Sequence, residues 1–194
     1  KIGMGIKEED FVVNLFTAST HDSLLFFTDA GKVYWLKVHE IPEASRGAKG
    51  KALVNLLALS SNEKVTATLP VKEFRDDRYI VMGTKKGILK KTELSAFSNP
   101  RQGGIIALGL ESGDRLISVQ LTDGQREILL GTRQGLTIRF KEEEVRSMGR
   151  TAYGVKGITL EEGNEVIGME TITPDSTTSI LTVTEGGYGK RTPV

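Results

Sequence analysis

The sequence predicts an all-β protein made of repeated units of about four short strands, in a radial or barrel-like array. The motif Thr-x-x-Gly recurs at Thr28/Gly31, Thr84/Gly87, Thr132/Gly135 and Thr184/Gly187, with spacings of 56, 48 and 52 residues. A short apolar run precedes each copy, and a strand carrying basic residues follows it. A period near 50 residues is typical of stacked or radially arranged units. Strand-like runs spaced by about 8 to 12 residues favour an all-β array.

The strand predictions follow runs of β-branched and aromatic residues between glycine-containing turns. In the first unit they are residues 12–19, 24–28, 33–38, 52–59 and 65–71. The second unit has residues 79–84, 88–92, 105–110 and 116–121, and the third has 127–132, 136–140, 155–160 and 166–172. A charged or helical step is expected at residues 40–44, 93–97 and 142–148. The approximate repeats are 10–64, 65–115, 116–165 and a partial 166–194, all within one domain, 1–194.

The composition excludes several classes of protein. Hydrophobic residues make up 38% of the 194 residues, which is enough for a core, and no apolar run approaches the ~20 residues of a membrane-spanning helix. The absence of cysteine excludes disulfides and thiolate metal sites, and it fits a reducing cytosol. No signal peptide is visible, and because the chain opens at Lys1 without methionine we expect a fragment of a longer protein.

The charges are segregated although the net charge is only +1. The four windows 32–51, 85–104, 133–157 and 188–194 contain 18 of the 26 Lys and Arg but only 6 of the 25 Asp and Glu, a net charge of +12. The remainder contains 8 basic and 19 acidic residues, a net charge of −11. A segregated basic surface is the electrostatic footprint of a protein that binds a polyanion.

Enzymatic interpretations find little support in the sequence. His21 and His39 have no metal-ligand spacing, and no Gly-x-Ser-x-Gly motif occurs. The stretch 189–192 fails as a phosphate loop because Arg191 stands at the Ser/Thr position. The acidic run 142–144 is better explained as a helix start than as a cation site. Tyr79 opens a buried strand, so it is not expected to be a nucleophile.

The basic residues are the stronger signal, because they recur beside glycines in each copy. Glycine lets backbone N–H groups approach a phosphate, and the cation neutralises it. If each unit points these residues outward, they form a continuous positive track for a bent duplex. Stacking of bases on aromatic residues such as Phe26, Phe27, Tyr34, Trp35 and Phe140 is the weaker nucleic-acid hypothesis, since their alternation suits core packing. The candidate DNA contacts are Lys32, Lys37, Arg46, Lys49, Lys51, Lys85, Lys86, Lys90, Lys91, Arg101, Arg133, Arg139, Lys141, Arg146, Arg150, Lys156, Lys190 and Arg191.

Several stretches resemble the C-terminal domain family of the bacterial DNA gyrase A subunit. They are residues 33–38 (VYWLKV), 43–50 (EASRGAKG) and 54–57 (VNLL), and later residues 146–158 and 186–192 (GGYGKRT). The resemblance covers nearly the whole chain from Lys7 onward. It implies a β-pinwheel, a propeller-like disc of four-stranded blades that exchange strands. Six blades are usual in the family, so this chain would hold three complete blades and part of a fourth.

The resemblance also implies a function and partners. The family wraps double-stranded DNA around a basic rim. The complete enzyme, which contains a second A subunit, introduces negative supercoils with the help of the gyrase B subunit, which uses ATP and Mg²⁺. The catalytic tyrosine belongs to the preceding domain, so this fragment would be non-catalytic, with no cofactor or metal of its own. A bacterial, cytoplasmic and nucleoid-associated protein is implied.

The basic box that marks the family does not occur in this sequence. The box is glutamine, two arginines, two glycines, lysine and glycine, and residues 46–50 and 101–104 are degenerate versions of it. This departure leaves open the related domain of the topoisomerase IV A subunit. A propeller used for protein–protein contact is an alternative from another class, and a hydrolase with a site in a central channel is a distant third.

Overall fold

The computed structural model describes residues 11–45, 47–48, 50–174 and 177–194, and these ranges form four β-sheets. The strands of the first half are β1 (Ser23–Thr28), β2 (Lys32–Lys37), β3 (Val65–Val71), β4 (Tyr79–Thr84), β5 (Ile88–Glu93), β6 (Ile105–Ile106) and β7 (Leu116–Thr122). Those of the second half are β8 (Glu127–Thr132), β9 (Thr137–Lys141), β10 (Val155–Lys156), β11 (Val166–Ile172), β12 (Ser179–Val183) and β13 (Gly189–Pro193). Short 3₁₀ segments lie at Val38–Glu40, Leu53–Asn55, Leu94–Phe97 and Glu142–Glu144.

The sheets exchange strands between successive units. The first sheet has the order β3-β1-β2-β6 and the second β10-β5-β4-β7, while the third is β11-β8-β9 and the fourth β12-β13. Strand β6 follows β5 in the chain but pairs antiparallel with β2, and β10 follows β9 but pairs antiparallel with β5. The outer strand of each of the first two sheets therefore comes from the following unit. This confirms the prediction of an all-β, propeller-like array of strand-exchanged blades.

Most strand predictions are confirmed, and two are wrong. Residues 12–19 form no strand, and the predicted strand 52–59 is replaced by the 3₁₀ turn at Leu53–Asn55. The corresponding stretches of the next two units are strands only where they pair with the preceding sheet, as β6 and β10 do. In the described part of the chain, there is no sheet from a unit before the first, so residues 52–59 have no preceding sheet edge to pair with.

The sheets also do not follow the approximate repeat limits. Strand β3 pairs with β1, and β7 pairs with β4, although both lie beyond the limits at residues 64 and 115. The turns at residues 60–63, 111–114 and 161–165 are acidic, and the sequence predicts that they end the units. They lead into the inner strands β3, β7 and β11. The first three sheets therefore each take residues from two of these repeats, whereas the fourth, β12-β13, lies within the last one.

The core lies between sheets and around the inner strands. Strand β7 packs against both β3 and β11, and Thr66 Oγ1 and Ser118 Oγ donate hydrogen bonds across these contacts, to the carbonyls of Leu116 and Met169. Between the first two sheets, Phe27 and Phe97 form an edge-on pair with ring centroids 5.9 Å apart. A second cluster joins the second and third sheets. Strands β3, β7 and β11 are thus neighbours on the inside, and β6 and β10 lie at the outer edges.

Gly154 lets the chain lie directly against the edge of the second sheet. Its φ is +101°, and a Cβ built there would stand 2.5 Å from the carbonyl oxygen of Leu89. We expect Gly154→Ala to lower the free energy of unfolding by about 2–3 kcal/mol, because both the backbone conformation and the close approach resist a side chain. Urea unfolding followed by circular dichroism measures this. Gly149→Ala, where nothing lies within 4 Å of the new Cβ, is the matched control and should change stability by less than about 1 kcal/mol.

Candidate functional site

Two basic stretches run along the outer edges of the first two sheets. We call residues 98–106 the first outer segment and residues 146–157 the second outer segment. The first contains β6, in which Ile105 lies opposite Val33 of β2. The second contains β10, in which Val155 lies opposite Leu89, and the Met148 N–H donates to the Lys91 carbonyl at 2.8 Å. The exchange of strands therefore places the glycine-rich basic sequences at the outside of the molecule.

The outer segments carry cations that no carboxylate neutralises. Arg101, Arg146 and Lys156 are exposed, and Arg150 is half-buried, with its guanidinium donating to the Ile106 carbonyl at 3.3 Å. Six further candidates are exposed: Lys37, Lys51, Lys86, Lys141, Lys190 and Arg191. Among the described residues, none of these ten has a carboxylate oxygen within 4.0 Å of its charged nitrogens. Two of them donate to uncharged groups, Lys37 to the Ser23 hydroxyl at 2.8 Å and Lys86 to the Ser112 carbonyl at 2.7 Å.

Four other candidates are paired with carboxylates. Lys32 lies 3.0 Å from Glu63, and Arg139 donates through Nε to Glu127 at 3.0 Å. Lys85 and Arg133 share Glu165, at 2.5 and 2.7 Å. The charges of these four are therefore paired within the protein, although their side chains stay 36% to 62% exposed, and their contact with DNA stays a prediction. The acidic turns fold back beside the hairpins, which the sequence did not reveal.

The pairing with Glu63 also changes the ionisation of its neighbours. The hydroxyl of Tyr34 donates to Glu63 at 2.6 Å. Burial and this bond raise the pKa of Tyr34 to about 12. Burial acts to raise the pKa of Glu63, but the hydrogen bonds from Tyr34 and Lys32 outweigh it and hold the pKa below its ordinary value. Glu63 is thus a stable anion that keeps Lys32 at the first hairpin.

Lys90 is buried, which contradicts its predicted place on the rim. Its side chain is 0% exposed, and its ammonium donates to the carbonyls of Ala107 at 2.8 Å, Ala152 at 3.0 Å and Arg150. The second outer segment covers β5, so the side chain at this position points into the protein. Burial, and then the positive charge of Arg150, lower the pKa of Lys90 to about 8.

Lys91 is buried as well, and it belongs to a polar cluster around Glu142. The Lys91 ammonium donates to the Glu142 carbonyl at 3.1 Å, lies 3.9 Å from its carboxylate and stands 5.0 Å from the centre of the Tyr79 ring. Glu142 is 0% exposed, and its carboxylate accepts from the Thr122 hydroxyl at 2.6 Å and the Arg126 N–H at 3.2 Å. The acidic run 142–144 thus forms a short 3₁₀ helix, in agreement with the predicted helix start. The sequence did not predict that its first residue, Glu142, is buried and holds the surrounding polar groups.

The repeat contains a sequence signal for the burial of Lys90 and Glu142. The third residue after the motif glycine is Tyr34, Lys90 or Ile138 in the first three units. The seventh is Val38, Leu94 or Glu142. Aromatic or aliphatic residues at these positions in sister units favour burial. They do not decide it, because Ile138 is 37% exposed and Lys190, at the same position in the fourth unit, is exposed. Arg46 and Lys49, the remaining two candidates, lie outside the described residues.

The lowered pKa of Lys90 predicts that stability rises with pH. Unfolded Lys90 titrates near 10.5 but folded Lys90 near 8, so between these values the unfolded chain binds more protons. From pH 8 to 9.5, we expect the free energy of unfolding of the parent protein to rise by about 1–2 kcal/mol more than that of Lys90→Met, because methionine does not titrate. Urea titrations of both proteins across this range measure the difference. A gap that stays constant with pH would contradict it.

No other kind of site is found within the described ranges. No group of three or more His, Cys, Asp or Glu residues is arranged to hold a metal ion there. No helix in those ranges has the length and apolarity needed to span a membrane. The nitrogen Nδ1 of His39 lies 3.3 Å from the Thr20 carbonyl at an exposed position, with no catalytic partner beside it.

The fold is a strand-exchanged β-propeller. Its antiparallel sheets have adjacent inner strands, they take outer strands from the following unit, and cations lie along their outer edges. The family model described as "DNA gyrase C-terminal domain, beta-propeller" matches residues 1–19, 22–72, 78–123, 126–173 and 178–194. The chain belongs to this family, which confirms the resemblance seen in the sequence.

The curated relatives of this chain include A subunits of DNA gyrase. The DNA gyrase A subunit of Salmonella typhimurium is 51% identical over 187 residues, which cover 96% of this chain and 21% of the relative. That of Staphylococcus aureus is 49% identical over 193 residues, covering 99% and 22%. The chain therefore spans about a fifth of the length of the relatives it matches.

Solved structures of related domains share the fold. The C-terminal domain of DNA topoisomerase IV matches with a TM-score of 0.89 and 30% identity, covering 97% of this chain and 58% of that one. The DNA gyrase A C-terminal domain matches with a TM-score of 0.73 and 25% identity, covering 97% and 63%. The E. coli ParC C-terminal domain, at 15% identity and a TM-score of 0.76, covers 99% and 77% and supports the fold alone.

Proposed function

We propose that this chain is a non-catalytic module of the DNA gyrase A subunit that binds duplex DNA and bends it around the outer edges of its sheets. The observation that carries the proposal is the placement of free cations on the two outer segments, at the same edge of successive sheets. Cations spaced along an outer edge suit contacts to a phosphate backbone, which supply affinity without reading sequence. Sequence preference would arise from the ease of bending the duplex.

The module would serve the complete enzyme in negative supercoiling. Its partners there would be the gyrase B subunit, together with a second copy of the A subunit. ATP and Mg²⁺ would be needed only by that assembly, in the bacterial cytoplasm at the nucleoid. The identity of about 50% to curated gyrase A subunits favours gyrase over topoisomerase IV. DNA binding by this chain alone should require neither ATP nor Mg²⁺.

A titration of duplex DNA at several salt concentrations tests binding. Each phosphate contact releases counterions, so the logarithm of the binding constant should fall linearly with the logarithm of salt concentration, by about 0.9 for each contact. A slope near zero would defeat the proposal. Duplexes of equal length and different sequence should bind with similar affinity. A protein-only scaffold would show no saturable binding to any of them.

Bending requires a separate measurement, because binding alone does not prove it. A nicked plasmid is sealed by ligase in the presence of the protein, and the linking number is read on a gel after the protein is removed. A duplex wrapped around the protein shifts the distribution of linking numbers, whereas straight binding leaves it centred as in the protein-free control. Binding without a shift would retain the anion-binding surface and refute wrapping by this chain.

A further inference from the structure

Lys90 is a buried cation that no carboxylate in the described chain neutralises. Its ammonium instead donates to three carbonyl oxygens, those of Ala107, Arg150 and Ala152. The neighbouring Lys91, by contrast, is buried beside the carboxylate of Glu142. Burying an unpaired charge is costly, so a lysine in this position needs a compensating role.

The three carbonyls belong to two different parts of the outer edge. Ala107 directly follows the first outer segment, and its N–H donates to the Gly31 carbonyl of the first sheet at 2.8 Å. Arg150 and Ala152 belong to the second outer segment. Two further hydrogen bonds join these parts of the chain. The Arg150 guanidinium donates to the Ile106 carbonyl, and the Gly109 N–H donates to the Ala152 carbonyl at 3.4 Å. The Lys90 ammonium is therefore the point where strand β5 meets both outer segments.

The ammonium fills a gap in the pairing of the second outer segment with β5. The Met148 N–H bonds to Lys91 at one end of the gap, and Val155 pairs with Leu89 at the other. Between them, residues 149–154 form a turn in which the Ala152 N–H donates to the Gly149 carbonyl at 3.1 Å. The turn bulges from the sheet, so no strand ladder holds its carbonyls, and Lys90 holds two of them instead. Arg150, one of the ten cations described above that lack a carboxylate partner, lies in this turn. We call these ten cations the candidate surface.

We propose that Lys90 is a positioning residue for Arg150. The buried ammonium of Lys90 holds the backbone of the turn in one position. In that position the turn directs Arg150 to the outer edge. Lys90 thereby contributes to the affinity for DNA without contacting it. The inference rests on the proposed function for its DNA-binding consequence, but the fixing of the turn is independent of any ligand.

A double-mutant cycle separates positioning from direct contact. Lys90→Met keeps the length of the side chain but removes the three donated bonds, and Arg150→Ala removes the positioned cation. If Lys90 acts through Arg150, each single variant weakens duplex binding by a similar factor and lowers the salt slope by about one. The double variant then binds as Arg150→Ala does. Losses that multiply in the double variant would overturn the inference.

Two further variants serve as controls. Lys72→Met removes one exposed lysine outside the candidate surface, so it matches the change in charge, and its salt slope should stay within about half a unit of the parent. Lys90→Arg keeps a buried donor with a positive charge and should restore most of the affinity lost in Lys90→Met. If Lys90 only fills space, Lys90→Arg is not expected to restore the affinity for DNA. If Lys90→Met fails to fold, as judged by circular dichroism, Lys90→Gln takes its place in the cycle.

Amide hydrogen exchange without DNA tests the turn directly. In Lys90→Met, the amide of Ala152, which donates to the Gly149 carbonyl within the turn, should exchange at least about tenfold faster, while the amides of the inner strands β3, β7 and β11 keep their protection. Unchanged exchange in the turn would overturn the inference. If the parent protein shows no salt-dependent binding to DNA, the proposed function fails, but this exchange result still decides whether Lys90 holds the turn.

Discussion

Replacing Arg101, Arg146 and Lys156 together by alanine is expected to reduce the salt slope of duplex binding by about three and the affinity by at least about 100-fold near 0.1 M salt. These three cations are exposed on the outer segments and have no carboxylate partner in the described chain. Each would give up one phosphate contact, and the losses should be similar for all duplex sequences. A titration of fluorescent duplex over a range of salt concentrations measures both quantities.

A matched variant controls for the change in overall charge. Lys64, Lys72 and Arg115 are also exposed and free of ion pairs in the described residues, but they lie outside the outer segments. Replacing these three by alanine alters the net charge equally and should reduce the slope by less than about one. Equal losses in the two triple variants would mean that binding follows net charge rather than the outer edge. A loss limited to one DNA sequence would contradict backbone recognition.

Glu142→Ala is expected to lower the free energy of unfolding by about 3–5 kcal/mol. The substitution removes the carboxylate that lies beside the buried ammonium of Lys91, and it leaves the Thr122 hydroxyl and the Arg126 N–H without their acceptor. A buried charge without its partner is more costly than the absence of both. Urea unfolding at pH 7 measures the loss.

Glu143→Ala is the control for this prediction. Glu143 is the next residue in the chain, is exposed, and makes no hydrogen bond or ion pair in the described structure, so we expect a change within about 0.5 kcal/mol. The double variant Lys91→Met/Glu142→Leu replaces the pair by apolar groups and should recover much of the stability. If Glu142→Ala is as stable as Glu143→Ala, then the cluster around Glu142 does not anchor the third sheet.

The fold could be predicted from the sequence because its signals are local. Thr-x-x-Gly with flanking β-branched runs determines each hairpin, and β4, β8 and β11 have the predicted limits. The failure at residues 52–59 has a non-local cause. This stretch resembles those that contain β6 and β10, but whether such a stretch becomes a strand depends on a neighbouring sheet edge, which periodicity does not reveal.

The candidate surface could be predicted only in part. The glycine-rich basic stretches are recognisable in the sequence, and Arg101, Arg146 and Lys156 are exposed at the outer edge. The role predicted for the glycines, close approach to a phosphate, is incomplete, since Gly154 fits against the protein's own strand β5. The pairing of Lys85 and Arg133 with Glu165 joins residues more than 30 positions apart, and such contacts leave no mark in the spacing of a motif.

Lys90 and Lys190 show where sequence information ends. Both are the third residue after the motif glycine, and the sequence alone determined that both lie on the second strand of a hairpin. Yet Lys90 is buried beneath the turn of the second outer segment, while Lys190 is exposed because no described segment crosses β13. Local propensity fixes the strand and its register, but burial and charge state depend on which distant segment packs over it. The tertiary structure alone decided which cations support the outer edge from within and which remain free to bind an anion.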